Sequence, residues 1–197
     1  MYMAAIRLGD VAAIQFGLIL SRKKADNSSA YAYKKLTLRA MESGGINPEA
    51  VELFYASEPL SGEYMTRVGT LIMKLFAPFN PIVITMETEG YLFPSQMVSI
   101  KPLESILPEY LRIYLSQEFV ADCLLANYTL IAQKAVTVDY LSNLEVRIPS
   151  LEKQKIICDY YGNFRHLSQL RKDLEKEEKA VMKHVFSVFS KEKERCE

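Results

Sequence analysis

With 197 residues, 49% of them hydrophobic, the chain holds enough apolar material for one packed domain and an extra element, which excludes a disordered tail. Lys+Arg and Asp+Glu balance at 24 each, so no uniformly basic surface is available and any basic face must come from local segregation. Cys123, Cys158 and Cys196 are scattered without a C-x-x-C pair, which points to a reducing compartment and away from disulfides and zinc.

In chain order, Leu8-Gly9-Asp10 before Val11 reads as a helical turn with Asp10 as its cap. Ile14–Leu20 reads as a strand. The apolar run Val11–Leu20 spans only ten residues, too short for a bilayer, and Arg22-Lys23-Lys24 follows where a secretory signal avoids charge. A cytoplasmic protein is the expectation. Tyr31–Arg39 alternates as a second strand. Ser43-Gly44-Gly45 and Asn47-Pro48 are turn signals, and Pro48–Tyr55 opens either a short helix or a strand. Val68–Leu75, Pro81–Thr85, Gly90–Pro94 and Ser95–Lys101 read as further strands, with Thr70 taken as a surface position at a strand start.

From Leu107 to Phe119 the chain reads as one helix. Pro108 stands at its start, where a missing N–H costs nothing, and Tyr110, Leu111, Tyr114, Leu115 and Phe119 recur at helical spacing. A short strand-like run at Val136–Val138, a helical turn at Asp139–Asn143 and a strand at Leu144–Ile148 follow, and Pro149 stops the strand. All eight prolines and seven of the eight glycines lie at or before Pro149, which puts a boundary near Ser150. The fold class expected is therefore α+β: a globular domain over residues 1–150 with a mixed or antiparallel sheet, then a long C-terminal coiled-coil helix over 151–197.

That helix is legible from its period. Tyr160, Leu167, Leu174, Val181 and Val188 recur at every seventh residue, Phe164 and Val185 share a second seam, and Leu170 lies slightly off it. Arg171 and Glu178 make the middle of that seam polar, a feature that can fix register and partner orientation. Forty helical residues extend about 60 Å, more than a domain of this size needs to cover its core. The seam residues are the candidate surface for pairing with a second helix.

Charge is segregated along the chain. Residues 1–40 carry seven Lys/Arg against two acids, whereas residues 41–150 carry six against thirteen. Arg22, Lys23, Lys24, Lys34 and Lys35 surround Tyr31 and Tyr33 and three small polar residues, Asn27, Ser28 and Ser29. Cations so placed can neutralise phosphates while polar and aromatic tips reach base edges. Gln96 and Gln133 are amides able to pair bidentately with adenine, and Lys74 and Lys134 could reach guanine or phosphate. Phe76, Phe79, Tyr91 and Phe93 read as core or loop packing.

Three stretches carry a resemblance to a known family. Leu107–Leu111, Ser116–Phe119 and the junction Ile148–Gln154, together with the block Gly69–Pro102, resemble the target-recognition domain and spacer-helix junction of type I restriction–modification DNA-specificity subunits. The junction is shorter than the family's by a couple of residues and has Lys153 where an acid is common, and Thr70 stands where the family often has Asp. The resemblance implies a non-catalytic subunit that reads one half of a bipartite double-stranded DNA target. It further implies a methyltransferase partner and a restriction/translocase partner, which would carry S-adenosylmethionine, ATP and Mg, with no cofactor and no metal in this chain. Family members carry two recognition domains and two antiparallel spacer helices. One of each is found here, so a half-length form that dimerises through the long helix, as a homodimer or with another half-subunit, is expected.

Catalysis finds no footing in the motifs. His166 and His184, the two histidines, lie on the long helix, and no G-x-x-x-x-G-K-[ST] loop or G-x-S-x-G elbow occurs. Two other classes remain open: a coiled-coil adaptor that assembles a protein complex without DNA, and an enzyme built on Glu63, Glu87 and Glu89.

Overall fold

The computed structural model describes residues 5–193 except 28, 43–44 and 131–134, and side chains except also 127–130 and 188–193. In chain order the elements are β1 (Ala5–Arg7), the one-turn helix α1 (Leu8–Val11), β2 (Ala12–Phe16), β3 (Tyr31–Lys35), β4 (Met41–Glu42), β5 (Gly45–Ile46), β6 (Glu52–Ala56), β7 (Leu71–Lys74), β8 (Ile82–Val83), β9 (Met97–Pro102), α2 (Pro108–Leu115), α3 (Glu118–Leu130), α4 (Val138–Ser142), β10 (Glu145–Arg147) and α5 (Leu151–Lys193). Two compact units divide the chain, residues 1–155 and 156–197, so the first turn of α5 belongs to the N-terminal unit.

The N-terminal unit is built on a four-stranded antiparallel sheet ordered β2-β9-β7-β8. Ile14 and Leu71 flank Ile100 across the ladder, and Met73 faces Val98. All four residues of β7 are buried, because side chains cover both faces of the sheet there. One cluster gathers Leu36, Met41, Ile72, Ile82, Ile84, Phe93 and Met97. A second gathers Leu18, Phe54, Ala56 and Leu92 under the two-stranded ribbon β3–β6. Between them Gly17 is obligatory, since a Cβ there would lie 2.1 Å from the Pro94 carbonyl oxygen. A third pair of strands joins the unit's beginning to its end: β1 pairs antiparallel with β10, Ile6 opposite Val146.

Several local readings are corrected. The stretch 108–119 is two helices, broken because the Ser116 hydroxyl donates to the Arg112 carbonyl at 2.7 Å and the Gln117 amide to the Ile113 carbonyl at 2.7 Å. Side-chain bonds to a helix's last carbonyls satisfy acceptors that the helix end leaves unpaired and compete with its continuation. Phe119 then starts the next helix edge-on to Tyr114, with ring centroids 5.5 Å apart. Asp10 lies inside its turn, whose N-cap is Arg7 with no side-chain cap. Val136–Val138 is no strand: Val136 donates one backbone bond to Leu75 (2.7 Å), and Thr137 caps α4 by accepting from the Tyr140 N–H at 3.2 Å. Gly90–Pro94 contributes only isolated bridges, at Leu92 and Pro94. Thr70 is not at the surface; it is 4% exposed, and its hydroxyl donates to the Arg67 carbonyl at 2.7 Å, closing the turn that Gly69 makes at φ +78°.

One buried polar side chain ties the end of the unit together. Gln154, in the first turn of α5, is fully buried. Its Oε1 accepts from the Leu107 N–H at 2.8 Å, and its Nε2 donates to the Ser105 carbonyl at 3.0 Å and the Pro149 carbonyl at 2.9 Å. Leu107 is the N-cap of α2 and has no side chain able to cap; Gln154 supplies the missing acceptor across 47 residues of sequence. The two sequence words Leu107–Leu111 and Ile148–Gln154 are thus halves of one hydrogen-bonded joint.

Residues 156–193 form a single uninterrupted helix, part of the 43-residue α5. No proline interrupts it, and it has no fold of its own to bury a face against.

Candidate nucleic-acid interface

The basic segment near the N-terminus is organised by β6. Along one edge β6 pairs with β3, Tyr33 opposite Phe54 and Lys34 opposite Leu53. Along its other edge it holds the basic loop: Ala25 N–H donates to the Tyr55 carbonyl at 2.9 Å and Ser57 N–H to the Lys23 carbonyl at 2.9 Å, with Lys24 bridged to Ala56. Strand alternation puts Phe54 and Ala56 inward on the second cluster, while Ala32, Lys34 and Leu53 face out and Tyr55 is half-buried on the same side. Leu53 is 62% exposed, an apolar side chain held in water beside a lysine.

The cations of this face differ in how free they are. Lys23 is ion-paired with Glu58, and Lys35 with Glu52 at 2.7 Å. The hydrogen bond and charge of Lys35 hold the Glu52 carboxyl below its usual range, with Arg39 adding to the effect. Lys34 has its ammonium 5.9 Å from the centre of the Tyr91 ring. Arg22 and Lys24 are exposed and, among the described residues, form no ion pair. Tyr31 is 40% exposed at the end of β3, where its N–H donates to the Ser29 hydroxyl at 3.2 Å. Arg22, Lys24, Lys34 and Tyr31 are therefore presented outward, whereas Lys23 and Lys35 are already neutralised by their own chain.

Gln96 is exposed on the turn before β9 and lies at the meeting of two depressions. One, of about 280 Å³, it shares with Lys35, Thr37 and Arg39. The other is a groove of about 640 Å³ lined by Gln15, Phe16, Phe76 and Thr137 among others. The structure thus puts Gln96 and Lys35 on the walls of one depression, a juxtaposition across 61 positions that sequence spacing does not disclose. Three residues of these depressions were missed from the sequence: Arg39, Gln15 and Phe16. Arg39 carried a signal, since it extends the basic run by four residues; a lone glutamine in an apolar strand carried none.

Lys74 behaves otherwise. At 7% exposure in β7 its ammonium has no hydrogen-bond or ion-pair partner among the described residues, and burial pushes it below the usual lysine range. Reaching a phosphate would require that side chain to leave its site. Gln133 and Lys134 lie outside the described residues. Phe79 and Phe93 are core, and Tyr91 is half-buried. Glu87 and Glu89 share the turn at Met86–Thr88 while Glu63 lies in another at Gly62–Tyr64, and among the described residues no group of three His, Cys, Asp or Glu could hold a metal ion.

On α5 the seam is open. Tyr160, Phe164, Leu167, Leu170, Leu174, Val181 and Val185 are between 41% and 70% exposed, and Val188 has its side chain outside the described set. No helix among the described residues is long and apolar enough to cross a membrane.

An α+β unit presents cations and amides from loops and a ribbon, and it continues into a long helix with an exposed apolar stripe. Solved structures share this architecture. The chain is similar to a protein in a structure described as showing complex assembly and conformational transition of the type I restriction–modification system, with a TM-score of 0.65 at 18% identity over 92% of this chain. It is also similar to the HsdS subunit from Thermoanaerobacter tengcongensis, with a TM-score of 0.59 at 18% identity over 83% of this chain. The type I restriction–modification S subunit from M. genitalium gives a TM-score of 0.52 at 13% identity over 88%. The chain spans 43%, 37% and 42% of those three chains, less than half of each. No family model and no curated protein matches the sequence. The chain has the fold of a type I specificity subunit.

Proposed function

We propose that this chain is a sequence-specific DNA-recognition module of a type I restriction–modification system, reading one half of a bipartite duplex target and catalysing nothing itself. The observation that carries the reading is the outward set Arg22, Lys24, Lys34 and Tyr31, without acidic partners among the described residues and gathered about a β-ribbon on the specificity-subunit fold. A two-stranded ribbon fits the major groove, which is about 12 Å wide. The five residue pairs of β3–β6 run about 17 Å along it at the usual strand rise. Arg22 and Lys24 neutralise phosphates and set the register of the protein on the duplex. Gln96 offers an amide to adenine, and Lys34 a donor to guanine. Lys74, Gln133 and Lys134 remain proposed contacts, Lys74 only through a rearrangement that exposes it.

The partner subunits supply the chemistry in this reading: a methyltransferase using S-adenosylmethionine and a restriction/translocase subunit using ATP and Mg. Helix α5 supplies the spacer, pairing with a second copy so that two recognition modules meet two half-sites at a fixed gap. A cytoplasmic setting follows from the role.

Selection of bound duplexes from a random library, by the purified chain with and without a methyltransferase subunit, tests the proposal. Enrichment of a gapped, inverted motif is expected. Reversal of Arg22, Lys24 and Lys34 to Glu should abolish that enrichment and lower the salt slope by about 2, near one unit for each of the two phosphates no longer neutralised by Arg22 and Lys24. Absence of enrichment under both conditions rejects the reading and favours the adaptor that assembles proteins alone.

A further inference from the structure

The outward face of the β3–β6 ribbon carries an apolar side chain that the fold does not use. Register sets Lys34 opposite Leu53 and Ala32 opposite Tyr55. Strand alternation puts these four on the face turned away from Phe54, Ala56 and the second core cluster. Leu53 is 62% exposed, Ala32 and Lys34 are exposed, and neither Leu53 nor Tyr55 belongs to either core cluster. Glu52, next in sequence, faces the other way and is ion-paired with Lys35 at 2.7 Å. Among the described residues no carboxylate pairs with Lys34, Lys24 or Arg22 around this face. A lone exposed leucine is ordinary on a protein surface. One held opposite an unpaired lysine, on a face ringed by free cations, is placed for a surface that offers both kinds of contact.

The chemistry of the duplex restricts what this pair can meet. The major groove offers guanine O6 and N7 as acceptors for an ammonium, and it offers one apolar group, the C5-methyl of thymine. Cytosine and adenine present amino groups at that edge, which a leucine would leave without a partner. Directly opposed residues of an antiparallel pair have Cβ atoms about 5 Å apart, and successive bases of one strand lie about 3.4 Å apart along the axis. Lys34 and Leu53 therefore span one or two base steps, the lysine on a guanine and the leucine on a methyl group.

We propose that Leu53, with Ala32 diagonal to it, is a specificity-determining residue that reads the C5-methyl group of a thymine one or two base pairs from the guanine met by Lys34. This rests on the DNA-recognition reading and adds to it an apolar contact. Such a contact neutralises no phosphate, so it contributes selectivity without salt dependence.

Duplexes selected by the full chain from the random library are the probe. Each thymine of the selected motif is replaced in turn by deoxyuridine, which keeps the Watson–Crick hydrogen bonds and lacks only the methyl group. One thymine of a half-site should prove sensitive, its replacement raising the Kd of the wild type about threefold to tenfold. Leu53→Ala should weaken binding to the thymine duplex by a similar factor and bind the uracil duplex within about twofold of that, because both changes remove the same contact. Its salt slope should match that of the wild type. The uracil scan needs only the wild type, so it decides the matter even if the variant folds poorly. A motif without thymine within two base pairs of a guanine overturns the inference. So does a wild type indifferent to uracil at every position, or a folded Leu53→Ala variant that keeps the full uracil penalty; in each of these cases DNA recognition stands. A chain that selects no motif overturns the recognition reading and this inference together.

Discussion

The two units of this chain treat the same kinds of side chain in opposite ways. In residues 1–155 the leucines, isoleucines and methionines are spent on the chain itself: Leu8, Leu36, Leu71, Ile72, Met73, Met97, Ile100 and Leu111 are at most 1% exposed. In residues 156–187 not one side chain is buried, and Ile156, Tyr160, Leu174, Val181 and Phe186 are all 60% or more exposed. The first unit closes its own core; the second leaves its apolar surface uncovered, as the proposed pairing with another helix requires. A buried apolar residue of the first unit therefore reports stability, and in the proposed reading an exposed one on the long helix reports assembly.

That contrast can be broken by mutation. Leu111→Ala, a cavity at a fully buried helix position, should cost about 3–4 kcal/mol and lower the melting temperature of the N-terminal unit. A loss below about 1 kcal/mol would mean the site is not sealed. Leu174→Asp should leave that melting temperature unchanged and weaken self-association by about 3 kcal/mol, through a carboxylate placed in the seam. A dimer that survives it in sedimentation would remove the seam from the interface.

Gln154→Ala should cost about 2 kcal/mol, since the Leu107 N–H and two carbonyls lose their partner in a fully buried place. Hydrogen exchange at the start of α2 should accelerate with it; unaltered protection there would show that the joint is held by something else.

The smallest change is expected at Lys74, and it is favourable. Burial lowers the ammonium pKa in the folded chain, so between that value and the ordinary lysine value near 10.4 the unfolded chain binds more protons. Stability must then rise with pH through that window, and the penalty is present in full below it. Lys74→Met should flatten this slope and stabilise the unit by about 1 kcal/mol at neutral pH, read by thermal unfolding across pH. A destabilised variant would indicate that the ammonium has a role in the fold.

Periodic features transferred from sequence to structure, and contact-dependent ones did not. Helix α5 begins at Leu151 as Pro149 and the apolar period require, and α+β with an antiparallel sheet followed by a long helix is the architecture found. The break at Ser116–Gln117 was hidden because the apolar period runs through it; only the hydroxyl and amide bonds to preceding carbonyls end the helix. Thr70 was misplaced because a threonine after a glycine looks the same at the surface and in a closed turn. In the candidate interface the basic cluster was legible from composition. Its division into paired cations, Lys23 and Lys35, and outward ones, Arg22, Lys24 and Lys34, depended on Glu58 and Glu52, which lie 35 and 17 residues away.

What the sequence determined alone was whatever depends on neighbours within a turn or two of chain: the long helix, its start after Pro149 and the seven-residue spacing of apolar residues along it. Local periodicity settles these because each residue's face is fixed by its spacing from the last. Tertiary structure decided the rest. It assigned Gln154 to the N-cap of α2, withdrew Lys74 from solvent and put Gln96 and Lys35 around one depression, since a hydrogen bond or a buried charge is settled by groups that meet only when the chain has folded.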